Sequence, residues 1–315
     1  MSAIILSEHD FRQEFREKIH AIAPDYQFVT DTQNLDWSQV ILTIGWSSEW
    51  EKPLLAENHH LRWVQALSAG VDTLPLNTFA NQNIQLSNAS GIHAQAIAEH
   101  VLAALLMDTR GFTQAVVNQR QHRWDAETID FRYLGEQEIV IVGTGHIGQQ
   151  LARLLQYFGV APIGINTDGH PVAGFSQTYS LQQLQQVVPT ADYIINILPL
   201  TKQTYHLYDE AFFQQMKKSG AFINVGRGPS VVTSALVTAL QTGAIRQAML
   251  DVFEEEPLPA HHPLWSLANC VITPHVSGVV PHFQKVFMEI FLDNLQQFVT
   301  DGQLARNQVS LRDGY

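Results

Sequence analysis

Ile139-Val140-Ile141-Val142-Gly143-Thr144-Gly145-His146-Ile147-Gly148 decides how this chain folds. Four aliphatic residues read as a buried parallel strand, glycines make a turn, and Leu151, Leu154 and Leu155 then recur at helical spacing. Gly143 permits the tight turn, Gly145 lets backbone approach a pyrophosphate, and Gly148 allows helix and strand to pack closely. The helix start offers N–H groups and the positive end of its dipole to phosphate. Glycines alone would be weak evidence; strand, turn and helix in this order point to dinucleotide binding. An acid about 20 residues on would take the ribose hydroxyls. Here the second strand ends at Asn166, which can hydrogen-bond a ribose but carries no charge, with Asp168 close behind and no arginine. The expected cofactor is NAD(P), with NADP slightly favoured.

Outward from this stretch, short aliphatic runs alternate with helical patterns, the mark of an α/β protein with doubly wound parallel sheets. Strands are expected at 3–6, 26–29, 40–45, 61–67 and 84–86, then at 138–142, 161–165, 193–197, 221–224, 248–250 and 270–273. A helix is expected over 10–23. Residues 93–110 keep helical spacing but are apolar nearly all round, so that helix should be buried at a domain junction or subunit contact, with Glu99, His100 and Asp108 needing partners. After Pro281, Phe283, Val286, Phe287, Ile290, Phe291, Leu295 and Phe298 recur at three and four, and Gly302 stands where a helix would end. The expected architecture is two Rossmann-like domains: residues 1–92 plus 282–315 for substrate, 93–281 for the dinucleotide.

Composition narrows the partners. The chain has 315 residues, with 18 Lys plus Arg against 30 Asp plus Glu, a net charge of −12. That balance argues against nucleic acid and anionic membranes, which want basic patches. Cys270 is the single cysteine, so no intrachain disulfide can form. Residues 1–10 read as a first strand and not as a secretion signal, and no apolar run is long enough to span a bilayer. The expected setting is the cytoplasm. His59–His60 and His261–His262 are adjacent pairs without a third ligand at recognisable spacing, so no metal site is expected.

By four blocks of sequence the chain resembles the D-isomer-specific 2-hydroxyacid dehydrogenase family. Gly143–Gly148 is one block; the others are Asn224-Val-Gly-Arg227-Gly228, Asp251-Val-Phe-Glu-Glu-Glu256-Pro257-Leu-Pro259 and Thr273-Pro274-His275-Val-Ser277-Gly278. Ser68-Ala69-Gly70-Val71-Asp72 and Ala98-Glu99-His100 also fit. The resemblance implies an oxidoreductase moving hydride between NAD(P)H and a small 2-oxoacid. It makes His275 the acid/base, a residue type that titrates near neutral pH. Glu256, chosen over Glu254 and Glu255 because it precedes Pro257, would orient His275 and favour its imidazolium. Arg227 would hold the carboxylate and polarise the carbonyl with its planar charged fork. Backbone at Ala69, Gly70 and Val71 would receive the substrate carboxylate. The resemblance further places His146 and Ile147 backbone, Pro199, Leu200, Val225, Arg227 and Asp251 along the cofactor, and implies a homodimer.

Within the family, glyoxylate/hydroxypyruvate-type reduction is the first expectation. Phosphoglycerate dehydrogenase is the alternative; against it, no regulatory domain is expected beyond Tyr315, and no extra basic residues stand ready for a 3-phosphate. A nucleotide-sensing, corepressor-like interaction protein is the reading from another class, since such proteins share the fold. Gly45-Trp46-Ser47 departs from the polar pair many relatives carry there, which leaves substrate identity open. Trp46, Trp50 and Trp124 could equally wall a pocket or pack elsewhere.

Overall fold

The computed structural model describes residues 3–312; the outermost residues of the expected domains, 1–2 and 313–315, lie outside them. The chain divides into two compact units, Met1–Ile92 with Val280–Tyr315, and His93–Val279. The first unit opens β1 (Ala3–Ser7), α1 (Gln13–Ile22), β2 (Tyr26–Val29), β3 (Val40–Ile44), α2 (Ser48–Leu54), β4 (Trp63–Gln65), α3 (Leu76–Asn81) and β5 (Gln85–Ser87). All strand pairs are parallel, in the order β2-β1-β3-β4-β5. Strands buried on both faces need apolar runs, and Ile5, Leu6, Leu42, Ile44 and Val64 are fully enclosed.

The second unit contains α4 (Ala94–Thr109), α5 (Phe112–Arg120), β6 (Ile139–Val142), α6 (His146–Gln156), β7 (Ile163–Asn166), β8 (Gln177–Ser180), α7 (Leu184–Val187), β9 (Tyr193–Asn196), α8 (Glu210–Gln215), β10 (Ala221–Asn224), α9 (Thr233–Thr242), β11 (Gln247–Leu250) and β12 (Cys270–Ile272). Its parallel sheet runs β12-β11-β10-β9-β6-β7-β8. Strand order reverses beside β6, the switch point at whose carboxyl ends such sheets bind ligands. β8 has no counterpart in the apolar pattern: it is an edge strand, Gln-Thr-Tyr-Ser, paired only with β7. An edge strand has one neighbour and less to bury, so it leaves a weak hydrophobic trace. Helix α4 buries one face, Ile97, Ala98, Val101 and Leu105, against β6 and α6. Its opposite face, with Ala103 and Met107, is open.

The chain closes with α10 (Phe283–Asp301), which belongs to the first unit. Phe283, Phe287 and Phe291 stack along it at 5.3 and 6.3 Å between centroids. Phe287 meets Phe11, and Phe291 meets Trp63. Such ring pairs contribute about 0.5–1.5 kcal/mol each beyond the area they bury. Gly302 ends the helix in the left-handed conformation, φ +76°, and its N–H reaches the Phe298 carbonyl. Among the described residues no helix is long and apolar enough to cross a membrane.

Candidate active site

The glycine turn after β6 shows why each glycine is needed. Gly143 takes φ +118°, and a Cβ on Gly148 would strike the Gly143 carbonyl. At Gly145 the space a side chain would fill is open, and no side chain caps α6. The first-turn N–H groups, at His146, Ile147 and Gly148, are therefore available to an anion. This cradle fits a pyrophosphate.

Asn166 ends β7, but its amide is largely committed. Its oxygen accepts the Gly169 N–H at 2.6 Å, while its nitrogen donates to the His170 carbonyl at 2.9 Å and to Thr144 Oγ1 at 3.3 Å. Asp168 pairs with His170, whose hydrogen bond holds the Asp168 carboxyl below the usual range. After β9, the exposed Pro199 has its carbonyl fixed by the Thr204 hydroxyl, 2.7 Å, and Leu200 is half-buried beside it.

The three residues assigned to chemistry follow adjacent strands. Arg227 comes after β10, Glu256 after β11 and His275 after β12, so neighbouring strands deliver all three to one edge of one sheet. The Arg227 loop is pinned at several points: Asn224 Nδ2 and Ser230 Oγ both donate to the Arg227 carbonyl, and Nη1 donates to Gly226 O at 2.9 Å. Val225 is buried beneath it. A Cβ on Gly228 would run into the backbone of Phe253 and Glu254, so the arginine loop and the acidic loop are packed as one piece.

His275 Nδ1 lies 2.7 Å from Glu256 Oε2, and the other Glu256 oxygen accepts the Phe253 N–H at 2.8 Å. An ionised carboxylate can only accept, so Nδ1 carries the proton and Nε2 is left for chemistry. Glu254 is engaged elsewhere, by His206 Nε2 and the Thr233 N–H, both at 2.8 Å. Burial opposes its charge, but these bonds from Thr233 and His206 prevail and lower its pKa.

Asp251 holds the histidine's segment. Its carbonyl accepts the His275 N–H at 2.8 Å; its carboxylate accepts the Val276 and Ser277 N–H groups, each at 2.9 Å, and the Thr273 hydroxyl at 2.5 Å. Burial opposes this charge, yet the bonds from Ser277, Thr273 and Val276 outweigh it and hold the carboxyl below its ordinary range. His275 itself sits at φ +55°, a backbone region costly for a side-chain-bearing residue. Three donors thus already occupy the Asp251 carboxylate that the family resemblance puts near the nicotinamide.

In the first unit, Ser68 Oγ donates to Gly70 O at 2.6 Å and Asn88 Nδ2 to Ala69 O at 2.7 Å, shaping the 68–72 loop. Among the described residues the N–H groups of Ala69, Gly70 and Val71 donate to no protein acceptor. Trp50 is core, and Trp46 meets Phe79 edge-on at 5.0 Å. Trp124 is fully exposed. The polar residues of α4 all find partners. Gln95 bonds Glu99, Thr273 meets His100, and Asp108 receives Arg246, Arg132 and Tyr193. Sequence reasoning flagged Glu99, His100 and Asp108 without their partners; that of Glu99 is one helical turn away, while those of His100 and Asp108 lie far along the chain. It also missed the His206–Glu254 pair, which carries no local motif. Among the described residues no cluster of three or more His, Cys, Asp or Glu could hold a metal.

A doubly wound sheet with a dinucleotide cradle at its switch point and an Arg–Glu–His set on adjacent strand ends defines an NAD(P)-dependent dehydrogenase class. The family model "D-isomer specific 2-hydroxyacid dehydrogenase, NAD binding domain" matches residues 102–277. The chain belongs to that family and is an oxidoreductase. A glyoxylate/hydroxypyruvate reductase B from Enterobacter sp. (strain 638) is 32% identical over 85% of this chain and 83% of its own length. The crystal structure of phosphoglycerate dehydrogenase from Lactobacillus plantarum is 40% identical, with TM-score 0.60 over 98% of this chain and 100% of that one. A D-isomer specific 2-hydroxyacid dehydrogenase from Xanthobacter autotrophicus Py2, in complex with NADPH and MES, is 26% identical, with TM-score 0.84 over 100% and 99% of the two chains.

Proposed function

We propose that this enzyme reduces a small 2-oxoacid of the glyoxylate/hydroxypyruvate type to the D-2-hydroxyacid. The observation that carries the reading is the 2.7 Å His275–Glu256 pair, set on the strand next to the one that leads into Arg227. When bound, the nicotinamide supplies the hydride. His275 delivers the proton from Nε2 to the keto oxygen while Glu256 holds Nδ1; in oxidation the same nitrogen takes the hydroxyl proton. Arg227 polarises the carbonyl and steadies the carboxylate. The first unit is the substrate domain, and its Ala69, Gly70 and Val71 N–H groups receive a carboxylate, which their lack of protein acceptors supports. Gly143, Gly145, His146, Ile147 and Gly148 hold the pyrophosphate, Asn166 meets the adenosine ribose, and Pro199, Leu200, Val225 and Asp251 line the remainder of the cofactor. NADP is the slightly favoured form, since no carboxylate stands at 166.

A homodimer is part of the same reading. Met107, Phe112, Val116, Trp124, Phe131 and Tyr133 are all exposed within one stretch of the second unit, apolar groups that a subunit contact would cover. A cytoplasmic setting agrees with the unpaired Cys270.

The deciding experiment follows nicotinamide absorbance with glyoxylate, hydroxypyruvate, pyruvate, longer 2-oxoacids and 3-phosphohydroxypyruvate, for wild type and His275→Ala. Wild type should reduce the two- and three-carbon acids best. The variant should lose about 10²–10⁴-fold in kcat yet bind cofactor normally. Turnover near wild type in His275→Ala would place the acid elsewhere, and preference for the phosphorylated acid would turn the reading to phosphoglycerate dehydrogenase.

A further inference from the structure

His100 lies on α4 with Nε2 3.3 Å from Thr273 Oγ1. That hydroxyl also meets Asp251 Oδ1 at 2.5 Å, and the proton balance between the three groups is fixed. Thr273 has one proton, and the ionised Asp251 carboxylate can only accept. The hydroxyl must donate to Asp251, so toward His100 it can only accept. His100 therefore carries a proton on Nε2. Donation runs one way, from His100 Nε2–H to Thr273 Oγ–H to the Asp251 carboxylate, and successive bonds in such a chain strengthen one another. The same carboxylate holds the Val276 and Ser277 N–H groups on the far side of His275, while the Asp251 carbonyl holds the His275 N–H.

We propose that His100 is a positioning residue for the acid/base His275, acting through Thr273 and Asp251. The inference rests on the reading of His275 above. What the chain must maintain is a left-handed backbone at a residue with a side chain, which relaxes unless its surroundings over-determine it. Removing the Nε2–H leaves the Thr273 hydroxyl without its donor and weakens its bond to Asp251. The 273–277 segment then loosens where the proton is transferred, whereas the glycine cradle and Arg227 are untouched. A cavity of about 100 Å³ adjoins His100, Thr273 and Asp251, lined otherwise by apolar groups such as Met107, Met249 and Val271, so a changed side chain at 100 can be accommodated.

Two variants separate a donor from a filler. Glutamine carries an N–H the same number of bonds from Cα as histidine Nε2; leucine has similar bulk and no donor. His100→Leu should lower kcat about five- to ten-fold, the scale of one hydrogen bond, with the substrate KM and the NADP dissociation constant within about two-fold of wild type. His100→Gln should restore most of the loss. Nitrogen-15 NMR of histidine-labelled enzyme should show His100 protonated at Nε2 at neutral pH, with that preference relaxed in Thr273→Val. Equal kcat in His100→Leu and wild type, a glutamine variant as poor as the leucine one, or a His100 protonated only at Nδ1 would each overturn the proposal. Failure of the underlying functional reading looks different: wild type would then reduce no 2-oxoacid at all, while the NMR result would stand by itself.

Discussion

Asp108 is the residue whose loss the second unit should feel most. It lies at the end of α4, 6% exposed, and takes Nη1 and Nη2 of Arg246, each at 2.7 Å, Arg132 at 3.2 Å and the Tyr193 hydroxyl. Burial opposes its charge, but the Arg246 bonds and the charges of Arg246 and Arg132 prevail and hold the carboxyl below 3.8. Asp108→Asn keeps the shape and removes the charge. Stranding a cation by removing its buried partner costs about 3–5 kcal/mol. Arg246 and Arg132 retain 25% and 20% exposure and recover some hydration, so about 3 kcal/mol is the working figure. Bodies of roughly 150–250 residues lose about 2–4 °C of Tm per kcal/mol, which gives a fall of about 6–12 °C at neutral pH. The sign with pH follows from the lowered folded pKa. The carboxylate's stabilisation is complete above the unfolded value of 3.8 and is lost as pH falls through the lower folded value. Scanning calorimetry of both proteins should therefore show melting points that differ at pH 7 and converge in acid. Turnover at 25 °C should stay within about two-fold, because Tyr193 and Arg246 lie at the amino ends of β9 and β11, away from the catalytic loops. Melting points within 2 °C at pH 7, or a gap that persists unchanged in acid, would refute the assignment.

Three further outcomes are expected. Glu256→Gln should cut kcat for reduction at least ten-fold with cofactor affinity unchanged, read by steady-state kinetics and direct binding; an unaffected kcat would remove Glu256 from the pair. Asn166→Asp should swing kcat/KM from NADP toward NAD by at least about ten-fold, since two unit charges about 5 Å apart at an effective dielectric of about 20 repel by roughly 3 kcal/mol. It should also loosen the 166–170 loop, because an aspartate cannot donate to the His170 carbonyl. Burial pushes the Cys270 thiol up to about 12, so iodoacetamide at pH 8 should alkylate it far more slowly in the native enzyme than after unfolding.

The parts of this protein legible in its sequence were those with local periodicity or an obligatory residue. The run Ile139–Val142 and the glycines behind it carry strand, turn and helix within ten positions, because only glycine readily takes the backbone angle at 143 and fits against the carbonyl at 148. The phenylalanine stripe of α10 likewise announced its helix and its burial. β8 left no such trace, being a polar edge. The links around Asp108 and His100 escaped for another reason. Arg246 is 138 residues from Asp108 and Thr273 is 173 from His100, and a hydrogen bond across such separations imposes no spacing that a reader of one sequence can see. The left-handed backbone of His275 was equally hidden: histidine tolerates that region without requiring it, and the bonds to Asp251 come from residues distant in the chain.

Arg227, Glu256 and His275 all leave one sheet, on strands that are immediate neighbours, so the proton-handling apparatus proposed for them would be a property of a single unit. The 68–72 loop and the Gly45-Trp46-Ser47 segment belong to the other. Descent with modification can therefore treat the two separately. On the function proposed above, which makes the first unit the substrate domain, insertions and replacements there would retarget the enzyme to a new acid without disturbing the histidine–glutamate geometry. A chimera that grafts the first unit of one relative onto the second unit of another should accordingly inherit its substrate range from the former and its response to acid–base substitutions from the latter.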